Sequence, residues 1–262
     1  MIRGLSGKWK QPLMFTFCRG TTPTANLMAH IRNVIHHCEE AGLRIVASVS
    51  DQGATNVSVV NQLVQGSGTG RHDARHLKKY DVRNQSVIHI YDSPHLLKGI
   101  RNNLMKRDVY WEREGDLISA RWDDIIYAYE ADNTSGELRS MPKMTDGHVY
   151  VAKMKKMKVS CAAQVFNHSV ASFMAVLSRI PSEGMDPQNL KDTATILKFF
   201  DRLFDSVNAS TLFNKSRKEY KWAASVHSGH IPFWREARGA LQNMFFKNLQ
   251  SGQREVPPSL KN

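Results

Sequence analysis

The spacing of apolar and polar positions changes once along the chain, near residue 107: short β-branched runs ending in acids give way to apolar residues at helical spacing. The run 44–50 follows Gly42 and stops at Asp51, after which the chain continues Gln-Gly-Ala-Thr-Asn56. Its shortness and β-branched content predict a buried parallel or central strand. Val87 to Tyr91 repeats the design and stops at Asp92, followed by Ser-Pro-His-Leu-Leu-Lys98. Leu13 to Cys18 predicts an earlier strand. From Thr24 to Gly42 the residues Leu27, Ile31, Val34, Ile35 and Cys38 recur at helical spacing, with Thr24 as N-cap and Gly42 as terminator. A strand-helix-strand crossover with two parallel strands is the expected result.

Val57 to Val64 predicts a short helix, and 65–72 a glycine-rich connection that lacks the Gly-Lys-Ser/Thr ending of a phosphate cradle. Pro94 opens a helix with Leu96, Leu97, Ile100 and Leu104 facing inward. Beyond residue 107 no further strand-like run is expected. Helices are predicted over 122–131, over 149–177 as one or two pieces, over 190–208 and over 233–249, with a loose tail from Pro257-Pro258. The fold class is α/β followed by mainly α, with domains at 1–106 and 107–250 and a tail at 251–262.

Composition adds a charge argument. Among 262 residues, Lys and Arg number 36 against 24 Asp and Glu, a formal net charge of +12 that makes an anionic partner, nucleic acid first, the electrostatic expectation. Three scattered cysteines exclude a disulfide frame and a four-cysteine zinc site. No run approaches the roughly 20 apolar residues of a membrane span, and no signal peptide is visible, so no membrane partner is expected.

Candidate chemistry rests on few residues. Asp51 and Asp92 end two strands at the edge where open α/β sheets collect ligands, although either alone reads as a turn former or helix cap. Lys98, Arg101, Lys106 and Arg107 are candidate contacts to DNA phosphates; a solvated helix face is the alternative. His30, His36 and His37 share a helix, with no Asp or Glu expected to complete a metal site. Asp201, Asp205 and Asn208 fall on the polar face of the 190–208 helix, where an ordinary solvated face is the plain reading.

Four stretches together resemble the P-element-type transposases and their THAP-domain relatives: Ile2-Arg-Gly-Leu5 with Lys8-Trp-Lys-Gln-Pro12, Ser50-Asp-Gln-Gly53, Asp92 to Lys98 with Ile100-Arg-Asn-Asn-Leu104, and Phe200 to Asn208. Weaker agreement comes from Gly115 to Ser119 and Lys156 to Gln164. The resemblance implies a partial RNase H-like fold with an all-helical insertion that binds GTP. It also implies three acids holding two divalent ions, Mg2+ or Mn2+, for DNA strand cleavage and transfer. Asp51 matches the family's second acid and is the expected metal ligand, with Asp92 supporting it. The first and third acids find no matching context, so a fragment or degenerate transposase copy, truncated at both ends, is expected; whether this chain is itself an enzyme stays open. A host-adopted, non-catalytic module binding DNA and GTP is the alternative. For the nucleotide, the resemblance points to Lys143, Lys158 and Ser169 at the phosphates, to Val159 as a further residue of the site, and to Asp205 and Asn208 at guanine, whose adjacent N–H donors suit a carboxylate. Nuclear localisation and homo-oligomerisation in the intact family are further implications.

Overall fold

The computed structural model describes residues 1–262 except 6, 68–77, 135–137, 181–183, 210, 214–217, 249 and 262. The chain forms two compact units, Met1–Asp92 and Ser93–Asn262. The division falls at Asp92, ahead of the change in pattern near residue 107 that the sequence displays.

The first unit opens with a short hairpin, β1 (Ile2–Arg3) and β2 (Lys10–Gln11). The stretch 13–18 joins no strand, and Phe15 and Phe17 are exposed, so the strand expected there does not form among the described residues. Helix α1 (Thr24–Glu40) ends near Gly42, whose φ of 76° is the left-handed conformation that glycine adopts without strain. Strand β3 (Ala47–Ser50) leads into α2 (Ala54–Gly66), longer than the expected 57–64 because Gly53 serves as its N-cap residue. The glycine-rich connection at 65–72 lies mostly outside the described residues. Strands β4 (Lys79–Val82) and β5 (Gln85–Tyr91) form a hairpin closed through Arg83, at a φ of 52°. The sheet order is β3-β5-β4, with β3 parallel to β5 and β4 antiparallel to it.

Alternation in β5 places Val87, His89 and Tyr91 on the buried face and Ser86, Ile88 and Ile90 on the exposed one. The inner face packs Val87, Tyr80 and Val82 against Ile35 of α1 and Val59 and Leu63 of α2. The run at 44–50 forms the expected parallel strand beside β5, but among the described residues β3 lies at the edge of the sheet, with Val49 65% exposed, and is not buried at its centre. Its apolar outward residues mimic two-sided burial in the sequence.

In the second unit, α3 (Ser93–Leu104) is followed by a hairpin of β6 (Arg107–Arg113) and β7 (Asp116–Ala120). Glu114 and Gly115 close it, both at positive φ, the geometry that a two-residue hairpin turn demands. Helices α4 (Trp122–Thr134), α5 (Asp146–Val149), α6 (Val159–Val165), α7 (His168–Leu177) and α8 (Pro187–Val207) come next. The expected 149–177 helix is interrupted, with Asn167 recapping α7 through a hydrogen bond from the Ser169 N–H at 2.9 Å. Helix α9 (His230–Gln242) stops before Asn243, and β8 (Met244–Asn248) takes over where a helix to residue 249 was expected. Strand β9 (Arg254–Glu255) and α10 (Pro258–Lys261) order the expected loose tail, with Leu260 buried.

Thus the mainly helical part also carries a four-stranded antiparallel sheet, ordered β7-β6-β8-β9, that an all-helical reading leaves out. The core runs from Val109 and Trp111 of β6 and Phe246 of β8 to Ile125 of α4, Met174 of α7 and Phe200 of α8.

Candidate functional site

Parallel pairing of β3 with β5 sets Ser50 opposite Tyr91, so Asp51 and Asp92 leave adjacent strands together. The backbone N–H of Asp92 still donates to the Ser50 carbonyl at 2.8 Å, which fixes that register to the last residue. Asp51 Oδ1 accepts from the Gly53 N–H at 2.9 Å and from Asn56 Nδ2 at 2.7 Å. A Cβ on residue 53 would stand 3.0 Å from Asp51 Oδ1, so glycine admits the turn that turns its N–H onto the carboxylate. Sequence reasoning used Asp51 and overlooked the Asn56 contact, although a short polar residue five positions on was visible.

Behind this edge, His89 is buried, its Nδ1 2.9 Å from Ser48 Oγ and its Nε2 3.3 Å from Ser50 Oγ, with Tyr91 edge-on at 4.7 Å. Burial, with the nearby Lys78 charge, lowers its pKa to about 4. Elsewhere in this unit, Glu40 does complete the histidine group on α1: it lies 3.2 Å from His36 and 3.0 Å from His37. This corrects the expectation that no acid joins those histidines. Among the described residues it is the one group of three or more potential metal ligands held together, and neither strand-end aspartate belongs to it.

In the second unit a cleft of about 90 Å³ is lined by Lys143, Gln164, Asn167, Ser169 and Val170. The loop bearing Lys143 is pinned by Asp132, which is fully buried and accepts from Arg139 Nε at 3.2 Å, the Ser140 N–H at 2.7 Å and the Met141 N–H at 3.1 Å. Ser169 sits at the first turn of α7, where backbone N–H groups favour anions. Lys158 and Val159 do not line this cleft; they form the N-cap and first residue of α6, and Lys158 is exposed.

Asp201 and Asp205 are not a solvated face. Both are buried, and Lys218 bridges them, 3.2 Å from Asp201 and 2.5 Å from Asp205, with Lys221 3.7 Å from Asp205. Burial raises the Asp201 carboxyl above its ordinary range despite Lys218, with the neighbouring Asp205 adding to the rise. For Lys218, burial works downward, but the Asp205 hydrogen bond and the two carboxylates outweigh it and raise the ammonium. His168, at the start of α7, adds a smaller lowering influence on the Asp201 carboxyl. Asn208 is exposed as the C-cap residue of α8. Lys218 had no sequence signal, since it is distant along the chain from both acids.

The four candidate DNA contacts separate sharply. Arg101 is wholly enclosed, donating to the Lys156 carbonyl at 2.5 Å and to Asn102 Oδ1 at 2.8 Å, so it does not reach a phosphate. The helical spacing puts residue 101 on the same side as Leu97 and Leu104, which are buried with it. Arg107 pairs with Glu255 at 2.7 Å, Lys98 is half-buried and Lys106 is exposed.

Residues 1–64 match the sequence model of the TNP-like RNase H N-terminal domain, and residues 94–221 that of the TNP-like GTP-binding insertion domain. Both are domains of the P-element-type transposase family, and the chain belongs to that family. It is 28% identical over 210 residues to the Transposable element P transposase of Drosophila melanogaster, covering 80% of this chain and 25% of that protein. It is 25% identical to human DNA transposase THAP9 over 229 residues, 83% of this chain and 23% of that protein. The chain thus spans about a quarter of these relatives' length. The fold is like that of the Drosophila P element transposase strand transfer complex, with a TM-score of 0.73 and 22% identity over 99% of this chain and 53% of that one.

Proposed function

We propose that this chain supplies part of the DNA-processing centre and the guanine-nucleotide site of a P-element-type transposase, acting on DNA in the nucleus. The observation that carries the first half is the placement of Asp51 and Asp92 at the ends of adjacent parallel strands. Two carboxylates at one edge are hard oxygen donors of the kind Mg2+ and Mn2+ take, and the Gly53 and Asn56 contacts hold Asp51 in one orientation. The donor set fits a divalent ion with Asp51 as ligand and Asp92 as support. When bound, such ions activate the attacking oxygen and stabilise the leaving oxygen of a phosphodiester. The chain's own contribution is placement: the strand register sets the spacing, and the buried, neutral His89 adds no positive charge beneath the acids.

The second half rests on the cleft of the second unit. Lys143, Ser169 and the start of α7 supply a cation, a hydroxyl and helix-end N–H groups to a nucleotide's phosphates, with Lys158 and Val159 on a neighbouring helix start. Asp205 and Asn208 at the end of α8 read guanine, with Lys218 paired to the Asp205 carboxylate. Exposed Lys106 and half-buried Lys98 contact DNA phosphates; oligomerisation follows the intact family.

A second reading, a DNA- and GTP-binding module without chemistry of its own, is favoured by one observation: among the described residues no third acid joins Asp51 and Asp92. Mn2+ titration followed by electron paramagnetic resonance tests the metal site. The proposal expects bound Mn2+ to be lost in Asp51→Asn and weakened in Asp92→Asn; unchanged binding in both variants contradicts it.

A further inference from the structure

The Lys143 cleft has a polar wall that the proposed nucleotide contacts leave out, and its hydrogen bonds settle which atom faces which. The Thr145 backbone N–H, which can only donate, points at His148 Nδ1 at 3.2 Å. Nδ1 is therefore the bare, accepting nitrogen, and the neutral ring carries its proton on Nε2. That nitrogen is 2.5 Å from Gln164 Oε1, so Nε2–H donates and the amide must present its oxygen to the histidine. By elimination, the Gln164 NH2 group is turned away from His148. Gln164 lines the cleft together with Lys143, Asn167 and Ser169, and its amide nitrogen has no protein partner among the described residues. His148 cannot rotate to serve either amide orientation, because the same ring closes the capping box of α5 with Thr145 and is buried.

We infer that Gln164, held in one orientation by His148, is a specificity-determining donor of the nucleotide cleft, giving an amide N–H to a phosphate oxygen of the bound nucleotide. The inference rests on the guanine-nucleotide reading of this unit and adds a residue to it. The phosphate end is its place, since its cleft neighbours are the cation of Lys143 and the first turn of α7, whereas the acids that suit the base lie at the end of α8. A fixed amide discriminates differently from a lysine. It recognises an acceptor by direction and rejects a group that presents a donor, because two opposed N–H groups leave both unpaired. His148 is a positioning residue: it acts through Gln164 and touches no ligand.

The test measures GTP and inorganic tripolyphosphate affinity on the full 262-residue chain with four proteins: wild type, Gln164→Met, His148→Asn, and the double variant. Methionine keeps the volume and removes the donor. Asparagine at 148 keeps an acceptor for the Thr145 N–H while losing the contact to Gln164, and thermal unfolding checks that both variants fold. The expected result for Gln164→Met is a loss of about tenfold to a hundredfold for both ligands, the range of one hydrogen bond to a charged acceptor. His148→Asn is expected to lose less, and the double variant to be no weaker than Gln164→Met alone, since the histidine works through the amide. Wild-type affinity retained by a folded Gln164→Met overturns the inference while leaving the nucleotide reading intact. Additive losses in the double variant overturn the positioning role of His148. Failure of the wild type to bind GTP overturns the nucleotide reading itself, and the inference with it.

Discussion

Asp92 is tied through its backbone N–H to the carbonyl of Ser50 at 2.8 Å, so Asp51, the next residue after Ser50, leaves the sheet beside it. Nothing in the side chains is needed to bring the two acids to one edge; parallel register alone does so. Two carboxylates are a partial cage for a pair of divalent ions, which calls for more oxygen donors than these supply. The 262-residue chain alone is accordingly expected to bind Mn2+ weakly and to leave a DNA duplex uncut. The check is a nicking assay on supercoiled plasmid with Mg2+ or Mn2+. Cleavage that disappears in Asp51→Ala contradicts the expectation.

DNA affinity should be sequence-independent and fall steeply with salt, because the +12 net charge acts through phosphate contacts. Exposed Lys106 and buried Arg101 give opposite signatures. Lys106→Ala should keep the melting temperature and lower the salt slope by about 1. Arg101→Ala should unfold the second unit more readily, by about 2–4 kcal/mol, by emptying its enclosed site and orphaning the Lys156 carbonyl. Filter binding across a salt series together with urea melts separates the two.

Lys218 bridges two buried acids. Replacing it by Met leaves Asp201 and Asp205 buried with like charge, and a loss of about 2–4 kcal/mol at pH 7 is expected. The pH dependence has a definite sign. Asp201 already has a raised pKa, so the folded state binds its proton more readily than the unfolded state, and the group favours folding below its ordinary range and less so above it. Without Lys218 that tendency grows, and the variant should recover part of its stability as pH falls toward 4. Denaturant midpoints between pH 4 and pH 8 measure this; a deficit independent of pH would contradict it.

His89 gives the opposite slope in the first unit. Its pKa is lowered from 6.5 to about 4, so the folded state resists a proton that the unfolded state accepts. Its contribution is fully present above pH 6.5 and is lost as pH falls through about 4. The size is on the order of 1–3 kcal/mol. His89→Gln keeps hydrogen-bonding capacity at Ser48 and Ser50 but cannot titrate. The stability difference between pH 6.5 and pH 4 should shrink by that amount relative to wild type.

What the sequence displayed was local. Strand-end acids, the glycine that closes α1 and the apolar stripe of α8 are short-range features and show in the sequence, whereas the N-cap residue of α1 is Pro23 and not the expected Thr24. What it concealed was pairing at a distance. Strand β8 looks like the continuation of α9 because Met244, Phe245 and Phe246 are apolar without alternation; only pairing with β6 makes them a strand. Arg101 looked like a surface cation because its charge, not its register with Leu97 and Leu104, was weighed. Lys218 meets Asp201 and Asp205 across a connection, and His148 meets Gln164 across two helices, so neither contact has a spacing to be read.

Titration of labelled GTP and ATP against the wild type and Asp205→Ala tests most directly whether the second unit reads guanine through Asp205. Guanine offers two adjacent N–H donors where adenine does not, so a carboxylate that accepts both should favour GTP by about tenfold or more. The wild type is expected to show that preference and Asp205→Ala to lose it, with ATP affinity little changed. Equal affinity for the two nucleotides in the wild type, or a GTP preference that survives the substitution in a folded protein, would contradict it.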